Sequence, residues 1–146
     1  MKRKLSLMVL RCLATTHAIV AAAAAAQAQV NVSVPFKFEA GGKSFPPGEY
    51  SVELKPDGAI GLRPAQNGVE LVISAKETLK RTTGKVEQPE LVFDMVGNFE
   101  PSFSEYVTDY LLSEVWLPGA DGVVVLTTSG KHDHRTVTGR VVLPKP

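Results

Sequence analysis

Two histidines placed two residues apart, His132 and His134, are the side chains of this sequence best suited to chemistry. On a β-strand such residues share a face roughly 6.6 Å apart, so both imidazoles could approach one metal ion. Zinc and iron sites complete such a pair with a further histidine or a carboxylate. No acidic residue or histidine follows His134. The stretch around Asp133 therefore fits a polar turn between strands better, and we expect any metal binding to be weak.

Aromatic side chains form a second candidate group, since they could line a groove for a sugar or a lipid. The candidate ligand contacts are Tyr106, Tyr110 and Trp116. Alternation along a strand places Trp116 on the face opposite Val115 and Leu117. Trp116 therefore either covers the core from the end of its strand or faces outward beside the two tyrosines as a binding platform. Core packing is the commoner role of a large aromatic residue in a small domain, so we favour it.

Other catalytic arrangements are weakly supported. No serine is flanked by the glycines of a nucleophile elbow, which leaves a serine hydrolase without its central feature. The only cysteine, Cys12, lies in the segment that we expect to be removed. No residue pattern requires a cofactor. We therefore expect no enzyme, and the alternative that stays open is a small hydrolase or metal-dependent enzyme that uses His132 and His134.

The first 28 residues have the pattern of a helical export signal. A basic start precedes an apolar, alanine-rich stretch that ends in Ala26-Gln27-Ala28. Signal peptidase requires small side chains at the positions of Ala26 and Ala28, so we expect the mature protein to begin at Gln29. Alanine partitions weakly into lipid, which disfavours a retained anchor and stable membrane insertion after cleavage. We expect residues 29–146 to form one exported domain, in the periplasm or outside the cell.

The charge of this domain disfavours nucleic acid as a partner. Four of the 16 basic side chains lie in the leader and none of the 15 acidic ones does, which leaves 12 basic groups against 15 acidic groups. A nucleic-acid binder needs a concentrated basic face. The only basic cluster comprises Lys76, Lys80, Arg81 and Lys85, and Glu77 and three threonines interrupt it. We interpret this cluster as a solvated strand or loop.

Short apolar segments separated by turn residues predict an all-β fold, either a β-sandwich or a small β-barrel of short antiparallel strands. The strictest alternation runs through Val30, Val32, Val34, Phe36 and Phe38. Turn signals include Gly41-Gly42 and Pro118-Gly119. Residues 97–109 are ambiguous between helix and loop, and a capping pair at Ser102 and Glu105 favours a short helical turn near Ser102 to Val107. An outer-membrane barrel is disfavoured because most predicted strands are too short to cross a bilayer.

Three segments carry a resemblance to known proteins. They are residues 34–52 with the pattern Gly-Lys-x-x-Pro-x-Gly-x-Tyr, Leu91-Val92-Phe93, and residues 110–119 with Ser-Glu-Val-Trp-x-Pro-Gly. Together they resemble a family of small exported bacterial all-β proteins. The resemblance covers most of the expected mature chain and implies export and an all-β fold. It brings no catalytic residues to transfer onto this sequence.

Composition, motifs and resemblance lead to one expectation for function. We expect an exported all-β protein that acts as a binding or structural module of the cell envelope or periplasm. Its partner is an envelope component or a small ligand that the sequence does not identify. Binding needs only shape and surface, whereas an enzyme needs convergent polar groups, which the residue pattern does not provide.

Overall fold

A computed structural model describes residues 29–66, 68–80, 88–102 and 105–142 of the 146-residue chain. The expected leader, with Cys12 and the cleavage residues Ala26 and Ala28, lies outside these ranges. The described residues form twelve β-strands. In chain order these are β1 (Gln29–Val34), β2 (Phe38–Ala40), β3 (Lys43–Phe45), β4 (Gly48–Leu54), β5 (Ile60–Pro64), β6 (Leu71–Ile73), β7 (Glu77–Leu79), β8 (Glu90–Glu100), β9 (Glu105–Trp116), β10 (Gly122–Val124), β11 (Asp133–Thr138) and β12 (Arg140–Val142).

The strands form two sheets, so the chain is all-β, as predicted, with the architecture of a β-sandwich. The five-stranded sheet has the order β12-β1-β4-β5-β6. The seven-stranded sheet has the order β11-β8-β9-β10-β7, and the β2–β3 hairpin joins it because β2 pairs with β9 in parallel. Across the described ranges the two sheets do not close into a barrel. These residues also contain no helix that could span a membrane.

The core lies between the sheets and follows the alternation of the sequence. Val30, Val32 and Val34 of β1 are each 1% exposed, whereas the residues between them are exposed. Alternate side chains of a strand face opposite ways, so β1 presents one apolar face to the interior. β4 and β5 add Tyr50 and Leu62 from the same sheet. The remaining buried apolar residues come mainly from β8, β9 and the segment that begins at β10.

An aromatic cluster connects the two sheets near the β2–β3 hairpin. The ring of Phe38 lies 5.3 Å from Phe45, 5.1 Å from Tyr50 and 5.3 Å from Phe93, measured between centroids. The Tyr50 hydroxyl donates a hydrogen bond to the Pro46 carbonyl. Burial raises the pKa of this hydroxyl above its usual value, because the phenolate would lose its hydration. This hydrogen bond between residues four apart holds the entry into β4.

The long β8–β9 hairpin corrects the expected helical turn near Ser102 to Val107. β8 continues to Glu100 and β9 begins at Glu105, and the ladder pairs these two residues with each other. Pro101 and Ser102 form a turn, and Phe103 and Ser104 lie outside the described residues. The helical spacing was misleading because residues of two antiparallel strands pair over long range, and this pairing overrides a local capping preference.

The chain passes from one sheet to the other at its C-terminal end. β11 pairs with β8 in the seven-stranded sheet, and β12 pairs with β1 in the five-stranded sheet. Between them the Gly139 N–H donates to the Pro89 carbonyl at 2.7 Å. Consequently β12 forms one edge of the five-stranded sheet, and β6 forms the other edge.

Candidate functional site

A cleft opens at the side of the sandwich where β9 changes partners. On its edge away from β8, β9 pairs with β10 at Glu114 and Val115 and with β2 at Leu111. Between these two contacts no strand of the described chain pairs with that edge. The amides of Val125 and Leu126 both donate to the Ser113 carbonyl there, at 2.8 and 3.3 Å. The gap between β2 and β10 therefore leads from the surface toward the core.

The cleft has a volume of about 440 Å³. Its floor consists of core side chains, because Ala40, Ile73, Leu112 and Val125 are all buried members of the main apolar cluster. Half-buried Leu111 and Leu126 form the walls. The turn at Gly41 and Gly42 closes one end, and both glycines have a positive φ, of 56° and 78°, which suits a two-residue hairpin. The site is therefore concave and mainly apolar.

Three polar side chains lie at the rim of this cleft: Glu39, Ser74 and Lys76. The backbone N–H of Lys76 donates to the Val124 carbonyl at 2.7 Å, which anchors this residue beside β10. Within the described residues the ammonium of Lys76 forms no ion pair and stays exposed to solvent. An apolar pocket with a few polar groups at its mouth is the usual form of a small-molecule site.

No family model, curated protein or solved structure matches this chain.

The structure places His132 and His134 in different surroundings. His132 Nε2 lies 2.6 Å from the Ser129 carbonyl, within a local turn. His134 Nδ1 lies 2.8 Å from Asp94 Oδ1, on the outer face of the seven-stranded sheet. The part of the chain that the structure describes contains no group of three or more metal-ligating side chains. The two imidazoles therefore do not form one site together.

The partnership of Asp94 with His134 is a feature that the sequence did not reveal. Asp94 pairs with His134 across the β8–β11 ladder, so the two side chains share a face. Asp94 is only 5% exposed, whereas the His134 side chain is largely exposed. A buried carboxylate needs a hydrogen-bond partner, and His134 supplies it among the described residues. The pair orients one imidazole beside the cleft, because Asp94 pairs across the β8–β9 ladder with the wall residue Leu111.

We expect His134→Ala to lower the free energy of unfolding by about 1–3 kcal/mol, because it leaves the buried Asp94 carboxylate without its partner. His132→Ala is the matched control, since the His132 ring contacts a turn carbonyl at the surface, and its loss should stay within about 0.5 kcal/mol. Urea unfolding followed by circular dichroism measures both. Equal losses for the two variants would show that the Asp94 contact contributes nothing.

The candidate aromatic groove of Tyr106, Tyr110 and Trp116 is divided by a β-bulge. Val92 pairs with Glu114 and Phe93 pairs with Leu112, so Ser113 is an extra residue on β9. The Ser113 hydroxyl donates to the Val92 carbonyl at 3.1 Å. Because a bulge reverses the alternation, Tyr110 lies on the inner side of the sheet and Trp116 on the outer side. The Tyr106 side chain lies outside the described atoms.

Tyr110 belongs to a stack at the open end of the sandwich. Its ring lies 4.1 Å from the Phe36 ring, in a stacked arrangement. The guanidinium of Arg135 lies 4.5 Å from the Phe36 centroid and 5.6 Å from the Tyr110 centroid. Arg135 Nη1 also lies 3.3 Å from the Tyr110 hydroxyl. Such cation–π contacts close the end of the core, so the described surroundings of Tyr110 favour packing over a binding platform.

Trp116 is buried without being part of the main core. It is 8% exposed, and its Nε1–H donates to Glu114 Oε2 at 2.8 Å. A Cβ atom at Gly122 would come within 2.6 Å of the indole, so the glycine leaves the space that the ring occupies. Trp116 is therefore buried, but it does not belong to the main apolar cluster. Trp116 packs on the outer face of the seven-stranded sheet instead.

Proposed function

We propose that this chain is an exported all-β binding module of the cell envelope or periplasm, and that its cleft holds a small ligand. The ligand has an apolar body and one polar end. The observation that carries this proposal is the cleft between β2 and β10, which combines a floor of core side chains with a polar rim. Its volume of about 440 Å³ lies within the roughly 300–1,000 Å³ of small-molecule pockets.

The rim supports a preference for an anionic or strongly polar head group. Lys76 places an ammonium at the mouth, and Ser74 adds a hydroxyl that can donate or accept a hydrogen bond. Glu39, on the opposite side, disfavours a second negative charge on the ligand. These contacts orient the ligand with its apolar body toward Leu112 and its head toward solvent.

The lining supports binding rather than catalysis. Among the described residues that line the cleft, only Glu39 and Lys76 carry ionisable side chains. Catalysis by acid and base needs groups that converge on one reacting atom. The histidine pair of the alternative hydrolase or metal enzyme does not line the cleft, and its two rings have separate partners.

The proposal predicts saturable binding of an apolar fluorescent probe with one negative charge, such as anilinonaphthalene sulfonate. We expect Ser74→Trp to weaken this binding about tenfold or more, because an exposed rim residue would then fill the cleft. Thr136→Trp on β11 is the control, since it adds the same ring at an exposed position that does not line the cleft. Fluorescence titration measures the affinities, and circular dichroism verifies that each variant keeps the parent fold.

A second variant separates the head-group contact from the apolar contact. We expect Lys76→Met to weaken binding of the anionic probe while leaving a neutral apolar probe unaffected, since only the anion pairs with the ammonium. Absence of saturable binding by the folded parent protein would refute the proposed site. Equal weakening by Ser74→Trp and Thr136→Trp would also refute it.

A further inference from the structure

The large apolar side chains that remain exposed lie at the two edges of one sheet. In the described residues these are Val69, Val72, Val141 and Val142, which are 36–89% exposed. Val72 lies in β6 and Val69 lies just before it, whereas Val141 and Val142 lie in β12. Among the strands that the structure describes, both pair on one side only, since they end the order β12-β1-β4-β5-β6. An unpaired strand edge with apolar side chains is a template for another strand.

The two edges run in the same direction. Each neighbouring pair in this sheet is antiparallel, and four such reversals separate β12 from β6. A second copy that is placed beside the first without inversion therefore brings its β12 next to β6 in parallel. Because β6 and β12 have three residues each, one short ladder uses the whole of both edges.

One register of this ladder matches both faces of the sheet. Val141 and Leu71 pair with the buried residues Val30 and Leu62, so both belong to the inner face. On the outer face, Val142 comes opposite Val72. A shift by one residue would place inner side chains against outer ones, which disfavours the neighbouring registers.

The same register brings opposite charges together. Arg140, exposed at the start of β12, comes opposite Glu70, which precedes β6. The Glu70 carboxylate lies on the outer face over Gly61, 2.8 Å from the Lys55 ammonium. The hydrogen bond from Lys55 lowers the pKa of Glu70, so this carboxylate is ionised at neutral pH. The edges are therefore complementary in charge as well as in apolar pattern.

We propose that copies of this chain join head to tail, with β12 of one copy adding in parallel to β6 of the next. The array keeps one free edge at each of its two ends, so the assembly is heterologous and open-ended. The occupant of each edge is a second copy, because the other edge of the same sheet supplies the matching valines and the opposite charge. This interface is independent of the cleft ligand.

Mixing two edge variants tests this arrangement. Val142→Lys blocks the β12 edge and leaves β6 intact, whereas Val72→Lys blocks β6 and leaves β12 intact. In sedimentation velocity we expect the parent mass to rise with protein concentration and each variant alone to stay monomeric. A mixture of the two variants should give dimers with one copy of each, since only one matching pair of edges remains.

Charge variants of Arg140 and a control on the other sheet test whether the opposite charges contribute to the assembly. Arg140→Glu should abolish the rise in mass and Arg140→Lys should keep it, whereas Thr136→Lys adds the same charge to the other sheet and should behave like the parent. A parent that stays monomeric at its highest soluble concentration overturns the proposal, as do homodimers of either valine variant. Val142 lies four strands from β6 in its sheet, so Val142→Lys should bind the fluorescent probe as tightly as the parent does. Failure of the assembly proposal can therefore be distinguished from failure of the cleft proposal.

Discussion

We expect Trp116→Ala to lower the free energy of unfolding by about 3–5 kcal/mol, the range for removing a buried large aromatic side chain. The indole is almost fully buried, and its Nε1–H donates to Glu114. Alanine would leave a cavity over Gly122, which has no side chain of its own to fill the space. Because small domains are held by roughly 5–15 kcal/mol in total, the variant should be marginally folded. Urea unfolding followed by circular dichroism measures the loss.

Two further variants separate packing from the hydrogen bond of this residue. Trp116→Phe keeps most of the ring and should lose less than the alanine variant, whereas Glu114→Gln keeps the ring and changes only the acceptor. The parent's single tryptophan should emit at short wavelength when folded and shift to the red on unfolding. An alanine variant as stable as the parent would show that the outer-face packing of Trp116 contributes little.

Local alternation was sufficient to predict the strands whose two faces differ most. In β1 the valines at positions 30, 32 and 34 are buried and their neighbours are exposed. Each strand residue has one of two faces, so a strict period of two determines which side chains reach the core. The all-β fold followed from such segments and from turns such as Gly41-Gly42, because both depend on residues that are near in sequence.

The bulge at Ser113 separates two members of the candidate aromatic groove in a way that simple alternation does not predict. Tyr110 and Trp116 are six residues apart, an even number, so simple alternation places them on the same face. The extra residue in β9 reverses this relation. A sequence signal was present, since Leu112 and Val115 are both apolar and three residues apart around the polar Ser113 and Glu114. That spacing breaks a period of two and indicates a change of phase.

The cleft and the Asp94–His134 pair could not be predicted from local pattern. The cleft wall combines residues from β2, β6, β9 and the segment after β10, which are distant in sequence. Asp94 and His134 are 40 residues apart and meet only through the register of β8 and β11. Strand order and register follow from the packing of the whole sheet. Sites built from distant strands cannot be located until both are known.

The largest effect inside the sandwich should come from Phe38→Ala, with a loss of about 3–5 kcal/mol in the free energy of unfolding. Phe38 is 1% exposed and lies at the centre of an aromatic cluster that spans both sheets. Its ring contacts Tyr50 of the five-stranded sheet and Phe93 of the seven-stranded sheet. Removing the ring therefore weakens the contact between the two sheets. It also reduces the burial of the neighbouring apolar side chains in both sheets. Chemical denaturation at constant temperature gives the loss.

Phe36→Ala is the matched control, since it removes the same ring two residues earlier in the chain. Phe36 is only half-buried and contacts Tyr110 and Arg135 at the open end of the sandwich. Because the cost of truncation rises with the apolar surface and the cavity that it leaves, the control should lose clearly less. Losses of equal size at the two positions would mean that the aromatic cluster around Phe38 does not hold the sheets together.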